Sequence, residues 1–325
     1  MIIANLGDTI NNLTIKTKNA EGENFDSETI IVSTADRKTY TLINNAIASS
    51  GLSNDIINLD VIPSSIVKMG IDKKADTIGW LIRVALFQDK KIGETFLKNP
   101  GAVILRVAPI SETKHDPLPI PELRIRGAGT TESELQEGLD VLGEAIVKKH
   151  ESLFAQELSI HYRDTEITEA ISEGIRISGN NRDTTYMYTE QFKLDNDKDD
   201  FVIVYGVNHV MTGKAAYANF SIYGIDAWNG IGAIDNNQFA GTAASYIPHH
   251  PKSNYFYVWK IARHCLNETN CFQVPRGHKG YGIELNDKVM IAFRAYVEPA
   301  TKAGPLYSEL LEDKAIKFSE MPETN

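Results

Sequence analysis

The second half of this 325-residue chain gathers the side chains best suited to acid–base or metal chemistry. Val204-Tyr-Gly-Val-Asn-His209 places a histidine at the end of an apolar strand, and Pro248-His-His-Pro251 and Arg263-His264 follow. Neutral imidazole ligates Zn, Cu, Fe and Ni, and its charge changes near neutral pH. His209, His249 or His264 could therefore serve as a general base or metal ligand, with Arg263 or Arg294 stabilising an anion. The spacings match neither His-Glu-x-x-His nor His-x-His. Adjacent His249 and His250 would point to opposite faces of a strand, and ordinary strand-end histidines give the same pattern.

A second group is Asp195-Asn-Asp-Lys-Asp-Asp200. Asp195, Asp197 and Asp199 stand at alternate positions, as oxygen ligands for calcium often do. The glycine of a calcium-loop helix pair is missing at its sixth place, where Asp200 stands, and its closing glutamate is missing where Gly206 stands. A solvated hairpin turn is the favoured reading and a weak calcium site the alternative. Calcium at the aspartates, or a transition metal at the histidines, are the cofactors these residues suggest.

Aromatic and polar residues offer a binding chemistry instead. Tyr205, Trp228, Tyr246 and His249, with Tyr223, Tyr255 and Trp259 nearby in sequence, could stack on a small molecule or glycan beside polar Asn and Asp groups. Core aromatics are the bland counterpart. Gly127-Ala-Gly129 precedes a helix start, so its amides could hold an anion, a flexible connector being the more economical account. Gly-x-Ser-x-Gly, the phosphate-loop motif and Gly-x-Gly-x-x-Gly do not occur, which leaves a hydrolase elbow and the common nucleotide folds unsupported. Sequons at Asn12, Asn219 and Asn267 carry little weight in a chain of this composition.

Composition narrows the partners. A net charge of -10 with no Lys/Arg cluster argues against nucleic acid, whose affinity rests on neutralised phosphates. No apolar run approaches the ~20 residues of a spanning helix, so no membrane span is expected. Cys265 and Cys271 are the two cysteines. The five residues between them, rich in Asn and Thr, can close a small disulfide loop, which would favour an extracellular or periplasmic setting. No export signal is visible at Met1.

These side chains need a scaffold, and the pattern is mainly β. Thr29 to Ser33, Tyr40 to Ile43, Gly101 to Val107, Tyr186 to Phe192, Phe201 to Tyr205, Ala218 to Tyr223, Tyr255 to Ile261 and Val289 to Tyr296 read as strands rich in β-branched and aromatic residues. Residues 44 to 79 read as irregular, and Asp116-Pro-Leu-Pro-Ile-Pro as an extended connector. An echo links Thr29 to Arg37 and Trp80 to Asp89 with Asn254 to Arg263 and Val289 to Pro299, suggesting duplicated β-units. Thr131-Glu-Ser-Glu134 reads as a capping box. Leu135, Leu139, Leu142, Ile146 and Val147 follow at helical spacing, giving a helix of about five turns that joins or braces the halves. A further helix is expected around Thr165 to Glu173.

Gly179-Asn-Asn-Arg-Asp-Thr-Thr-Tyr-Met-Tyr188, Phe201-Val-Ile-Val-Tyr-Gly, Tyr217-Ala-Asn-Phe-Ser-Ile-Tyr223, the strand Tyr255 to Arg263 and the exit Arg294-Ala-Tyr-Val-Glu-Pro299 together resemble a known group. It comprises uncharacterised, mostly exported bacterial β-rich proteins of the domain-of-unknown-function 1214/1254 type. The resemblance covers roughly residues 175 to 300. It departs where Asn219-Phe220 occupies the place of a common tryptophan, and it brings no catalytic residues with it.

The expected architecture is two antiparallel β-sandwich-like units, 1–126 and 177–325, joined by a helical connector at 127–176. Two functions compete. One is an extracytoplasmic binding or structural protein holding a ligand among Tyr205, His209, Trp228 and Tyr246. The other is an enzyme with a His-centred, metal-dependent or metal-free site. Convergence separates them, because an enzyme needs at least two of the polar groups within hydrogen-bond reach.

Overall fold

The computed structural model describes residues 10–11, 13–18, 28–65, 67–78, 90–108, 110, 114–119, 122–162, 182–277 and 282–321. The chain divides into two compact units, Met1–Glu122 and Leu123–Asn325.

In the first unit, β1 (Ile30–Thr34), α1 (Arg37–Ser49) and β2 (Ile57–Val61) form one motif. The strands pair in parallel from Ile30↔Ile57 to Thr34↔Val61, and parallel neighbours need a crossover such as α1. Asp36 starts the helix: its carboxylate accepts from the Thr39 amide at 2.8 Å, the usual N-cap bond. Tyr40 to Ile43 therefore lies in α1 and not in a strand, because Tyr40, Ile43 and Ile47 recur at helical spacing behind that cap. The stretch 44 to 79 contains the end of α1 and all of β2. Gly101 to Val107 is irregular and exposed, with Val103, Ile104 and Leu105 each more than three-quarters open to solvent. The helix α2 spans Lys90–Lys98. Trp80 to Asp89, one arm of the sequence echo, and the helix expected at Thr165 to Glu173 lie outside the described residues.

Among its described residues the second unit carries α3 (Gln136–Lys149) and ten strands: β3 (Phe154–Glu157), β4 (Ile160–Tyr162), β5 (Thr184–Thr189), β6 (Phe201–Val207), β7 (Tyr217–Gly224), β8 (Asn229–Asp235), β9 (Phe256–Ala262), β10 (Cys271–Gln273), β11 (Val289–Tyr296) and β12 (Lys314–Ser319). They make two five-stranded sheets, ordered β10-β9-β6-β12-β3 and β4-β5-β11-β7-β8. Pairing is antiparallel except between β9 and β10. The chain is thus mainly β, as its sequence indicates. Among the described residues both five-stranded sheets belong to the second unit, and the first unit carries the parallel β1–β2 pair.

Alternation explains the layers. Val202 and Val204 of β6, Tyr257, Trp259 and Ile261 of β9, Phe220 and Ile222 of β7, and Ile291 and Phe293 of β11 fill the space between the sheets. The intervening residues Phe201, Ile203, Tyr205, Val207, Phe256 and Val258 face the other way, against Leu135, Leu139, Leu142 and Ile146 of α3. The central strand β6 is buried on both faces along its whole length, which its unbroken apolar run reflects. Val147 falls off the stripe and is 41% exposed. The helix begins with a 3-10 turn at Ser133–Leu135 without a side-chain cap; Thr131 Oγ1 instead meets Ser133 Oγ at 2.9 Å, so the expected capping box is not formed.

Candidate functional site

At the end of the sandwich where β6 exits and β12 enters, His209 is enclosed by acids from two distant segments. Its Nδ1 lies 2.9 and 3.0 Å from the two oxygens of Glu132. Its Nε2 faces Asp313 Oδ2 at 3.7 Å, an ion-pair contact beyond hydrogen-bond reach. Asp313 Oδ1 accepts from the Tyr257 hydroxyl at 2.7 Å. Glu132 also accepts from Thr212 Oγ1 at 2.6 Å and from the Leu311 amide at 2.9 Å. Asp313 fits here because β6 carries Gly206, where a side-chain carbon would collide with the Asp313 carboxylate.

Electrostatics follow from this enclosure. Burial opposes the charged imidazole, but the Glu132 carboxylate, with Asp313 behind it, pushes His209 up to about 10. Burial also opposes the Glu132 carboxylate, yet the His209 charge and the bonds from His209, Thr212 and Leu311 hold it below its ordinary range. Burial and the Asp313 carboxylate push Tyr257 far up, so it stays a donor. His209 is therefore imidazolium at neutral pH, and a cation has no lone pair for a proton or a metal. His209, Glu132 and Asp313 are each at most 3% exposed.

Beside it lies a second closed network. Lys214 Nζ sits 2.8 Å from Glu298 Oε1 and 2.5 Å from Glu309 Oε2. Burial disfavours the ammonium, and the two carboxylates more than restore it, leaving Lys214 above its usual value. Glu309 also accepts from the amides of Ala128 at 3.1 Å and Gly129 at 2.8 Å. The amides of Gly127-Ala-Gly129, read from the sequence as a flexible connector or an anion seat, thus hold a carboxylate of the chain itself. Gly127, at φ 83, leaves the room that a side chain would take from Glu309.

The other sequence candidates do not join His209. Arg263 and His264 follow β9 at the end opposite, about 20 Å away along the seven residues of the β6–β9 pair. Arg263 is buried, and its guanidinium donates to the carbonyls of Leu194, Pro275, Ile283 and Glu284 at 2.7 to 3.3 Å. It fastens loops and is closed to an external anion. Tyr205 lies under α3, where burial raises it to about 12. Tyr246 lies on the same side beneath Lys149, whose Nζ is 4.1 Å from the ring centre, and burial again raises it to about 12. Trp228 is 73% exposed at the β7–β8 turn, and His249 is exposed in the turn before β9. Asp197 and Asp199 approach Glu320, all three offering oxygens within 4.8 Å of one another, while Asp195 is not of this group. The Asp199 amide donates to Asp197 Oδ1 at 2.7 Å, as in an ordinary turn. Cys265 and Cys271 are bridged, with Cα atoms 5.7 Å apart.

Among the described residues a third assembly of polar and aromatic side chains shares one face of the second sheet. The residues of β4, β5, β11 and β7 on this face include His161, Tyr186, Tyr188, Arg294, Tyr296, Tyr217, Asn219, Ser221 and Tyr223, matched across the sheet by register. Tyr186, Tyr188, Tyr217, Tyr223 and Tyr296 are each half-buried. Neighbouring rings meet at 5.7 Å for His161–Tyr188 and Tyr217–Tyr296 and 6.4 Å for Tyr186–Tyr296. Of this group the sequence singles out Arg294 and Tyr223. The rest were legible as the polar half of the strand alternation, Tyr217-x-Asn-x-Ser-x-Tyr223 and Arg294-x-Tyr296.

No family model matches the chain, and no curated protein does. Among solved structures the chain is similar to the VPA0106 protein from Vibrio parahaemolyticus, with 14% identity, a TM-score of 0.28, and coverage of 47% of this chain and 35% of that one. The chain thus spans about a third of that neighbour's length, and at such a score the likeness carries no argument about fold or function. Among the described residues no helix is long and apolar enough to cross a membrane.

Proposed function

We propose that this chain is an extracytoplasmic binding protein whose ligand rests on the tyrosine-lined outer face of the β4-β5-β11-β7-β8 sheet. The observation that carries this reading is the contrast between the two polar assemblies. The acids and bases around His209 and Lys214 are ion-paired with one another inside the protein, whereas five half-buried tyrosines share one sheet face. Aromatic rings beside amide and hydroxyl groups suit a saccharide, whose C–H faces stack while its hydroxyls take hydrogen bonds. The Cys265–Cys271 bridge supports an oxidising compartment. The enzyme alternative would need His209 neutral and reachable, and the geometry favours neither.

Immobilised protein probed with a saccharide array tests this. The wild type should retain saccharides, and the pair Tyr188→Ala with Tyr217→Ala should lose them while keeping the wild-type melting temperature. Retention unchanged in the double variant would overturn the assignment to this face.

A further inference from the structure

Arg294 can be set beside four other enclosed cations of the second unit. His209 has Glu132 and Asp313, Lys214 has Glu298 and Glu309, and Lys317 has Asp200 at 2.5 Å. Arg263, deep in the core, spends its donors on four carbonyls. Arg294 is half-buried on the middle strand β11, and its hydrogen-bond partners are all neutral. Nη1 donates to Ser221 Oγ at 2.7 Å and to Asn219 Oδ1 at 3.4 Å, and Nη2 donates to Tyr223 Oη at 2.6 Å. The guanidinium carbon lies 5.5 Å from the ring centres of both Tyr186 and Tyr223.

A guanidinium has five N–H groups, so these bonds leave Nε–H and one Nη2–H. The charge is left too. Asp235, which stands opposite Asn219 by register, accepts from the Asn237 amide at 2.8 Å and caps the next turn. Among the described residues no carboxylate is in ion-pair contact with this half-buried cation, which is disfavoured, and an incoming carboxylate that took the two remaining N–H groups would relieve it by the forked geometry arginine favours. The five strands contain no lysine and no second arginine. One guanidinium matches one carboxylate, and a polyanion would find no further cations there.

Resting on the binding reading above, we propose that the ligand is an acidic saccharide of the uronic-acid type, its carboxylate on Arg294 and its ring against the neighbouring tyrosines. The probes are D-glucuronate, D-glucose and acetate, titrated into the full chain while the Arg294 Nε–H resonance and the tyrosine ring resonances are followed by NMR. Glucuronate should move both sets and bind at least tenfold more tightly than glucose or acetate. Arg294→Gln should lose at least that tenfold; the wild-type Nε–H shift tests the contact independently of that variant. Glucose binding as tightly as glucuronate would overturn the acidic class and leave the face as a saccharide seat. Acetate binding as tightly, with no tyrosine shift, would reduce the site to an adventitious ion only. Silence from all three probes at millimolar concentration would overturn both the inference and the reading beneath it.

Discussion

Glu132 and His209, seventy-seven positions apart, meet with Nδ1 almost equidistant from both carboxylate oxygens, at 2.9 and 3.0 Å. This pair ties the entry of α3 to the exit of β6, and Asp313 closes it from the start of β12. The acid–base groups of this fold are here used as its fastening.

Removing one partner should therefore be expensive. Glu132→Gln leaves a buried imidazolium short of its main counter-charge, and such half-broken pairs lose about 3–5 kcal/mol. Urea unfolding should show that loss, and the double variant Glu132→Gln with His209→Gln should recover part of it. Additive losses would mean that the two side chains do not interact.

The same pair sets a pH dependence. His209 stands near 10 when folded against about 6.5 when unfolded. Its stabilisation is complete below pH 6.5 and is lost as pH rises towards 10, by up to about 1.4 kcal/mol per unit. Glu132 is lowered from 4.5, so its share is present above that pH and is lost as acid protonates it. The urea midpoint of the wild type should fall across the alkaline window, and that of His209→Gln should fall less. Equal slopes would show that His209 takes up no proton on folding.

Arg263 is predicted to serve stability and not ligand binding. Truncating it to alanine leaves four carbonyls around an emptied site, and charged hydrogen bonds contribute about 1.5–3 kcal/mol each. Arg263→Ala should lower the melting point markedly, while Arg263→Lys recovers part. If an anionic ligand bound the wild type and Arg263→Ala abolished binding with no change in melting, the structural role would be wrong.

Native protein should titrate zero free thiols, given the Cys265–Cys271 bridge. Closing so short a loop contributes about 2 kcal/mol by the chain-entropy relation, so reduction should shift the urea midpoint modestly without unfolding the chain. Two thiols in freshly isolated native protein would remove the main support for an oxidising compartment.

Much of the second unit is legible in its residues. Val289 to Tyr296 is β11 residue for residue, and the expected strands at Phe201, Ala218 and Tyr255 fall within one or two positions of β6, β7 and β9. Their alternation is strong because two buried faces select it. The strand β12 is missed because Lys314 and Lys317 interrupt its apolar face, and Tyr40 to Ile43 because β-branched and aromatic residues there hide a helical period. Glu132 carries a signal that composition alone obscures: it stands three and seven positions before Leu135 and Leu139, on the apolar stripe itself, where a carboxylate needs a buried partner. Nothing local reveals that partner, since His209 and Asp313 arrive only through the sheet order.

The central claim, that ligand binds the tyrosine face and leaves the histidine end unused, is tested most directly by backbone amide NMR during titration with a saccharide mixture. Shifts should gather on β5, β7 and β11 around Arg294, with Glu132, His209 and Asp313 unmoved. Shifts gathered on Glu132, His209 and Asp313, with Arg294 and its tyrosines still, would contradict it.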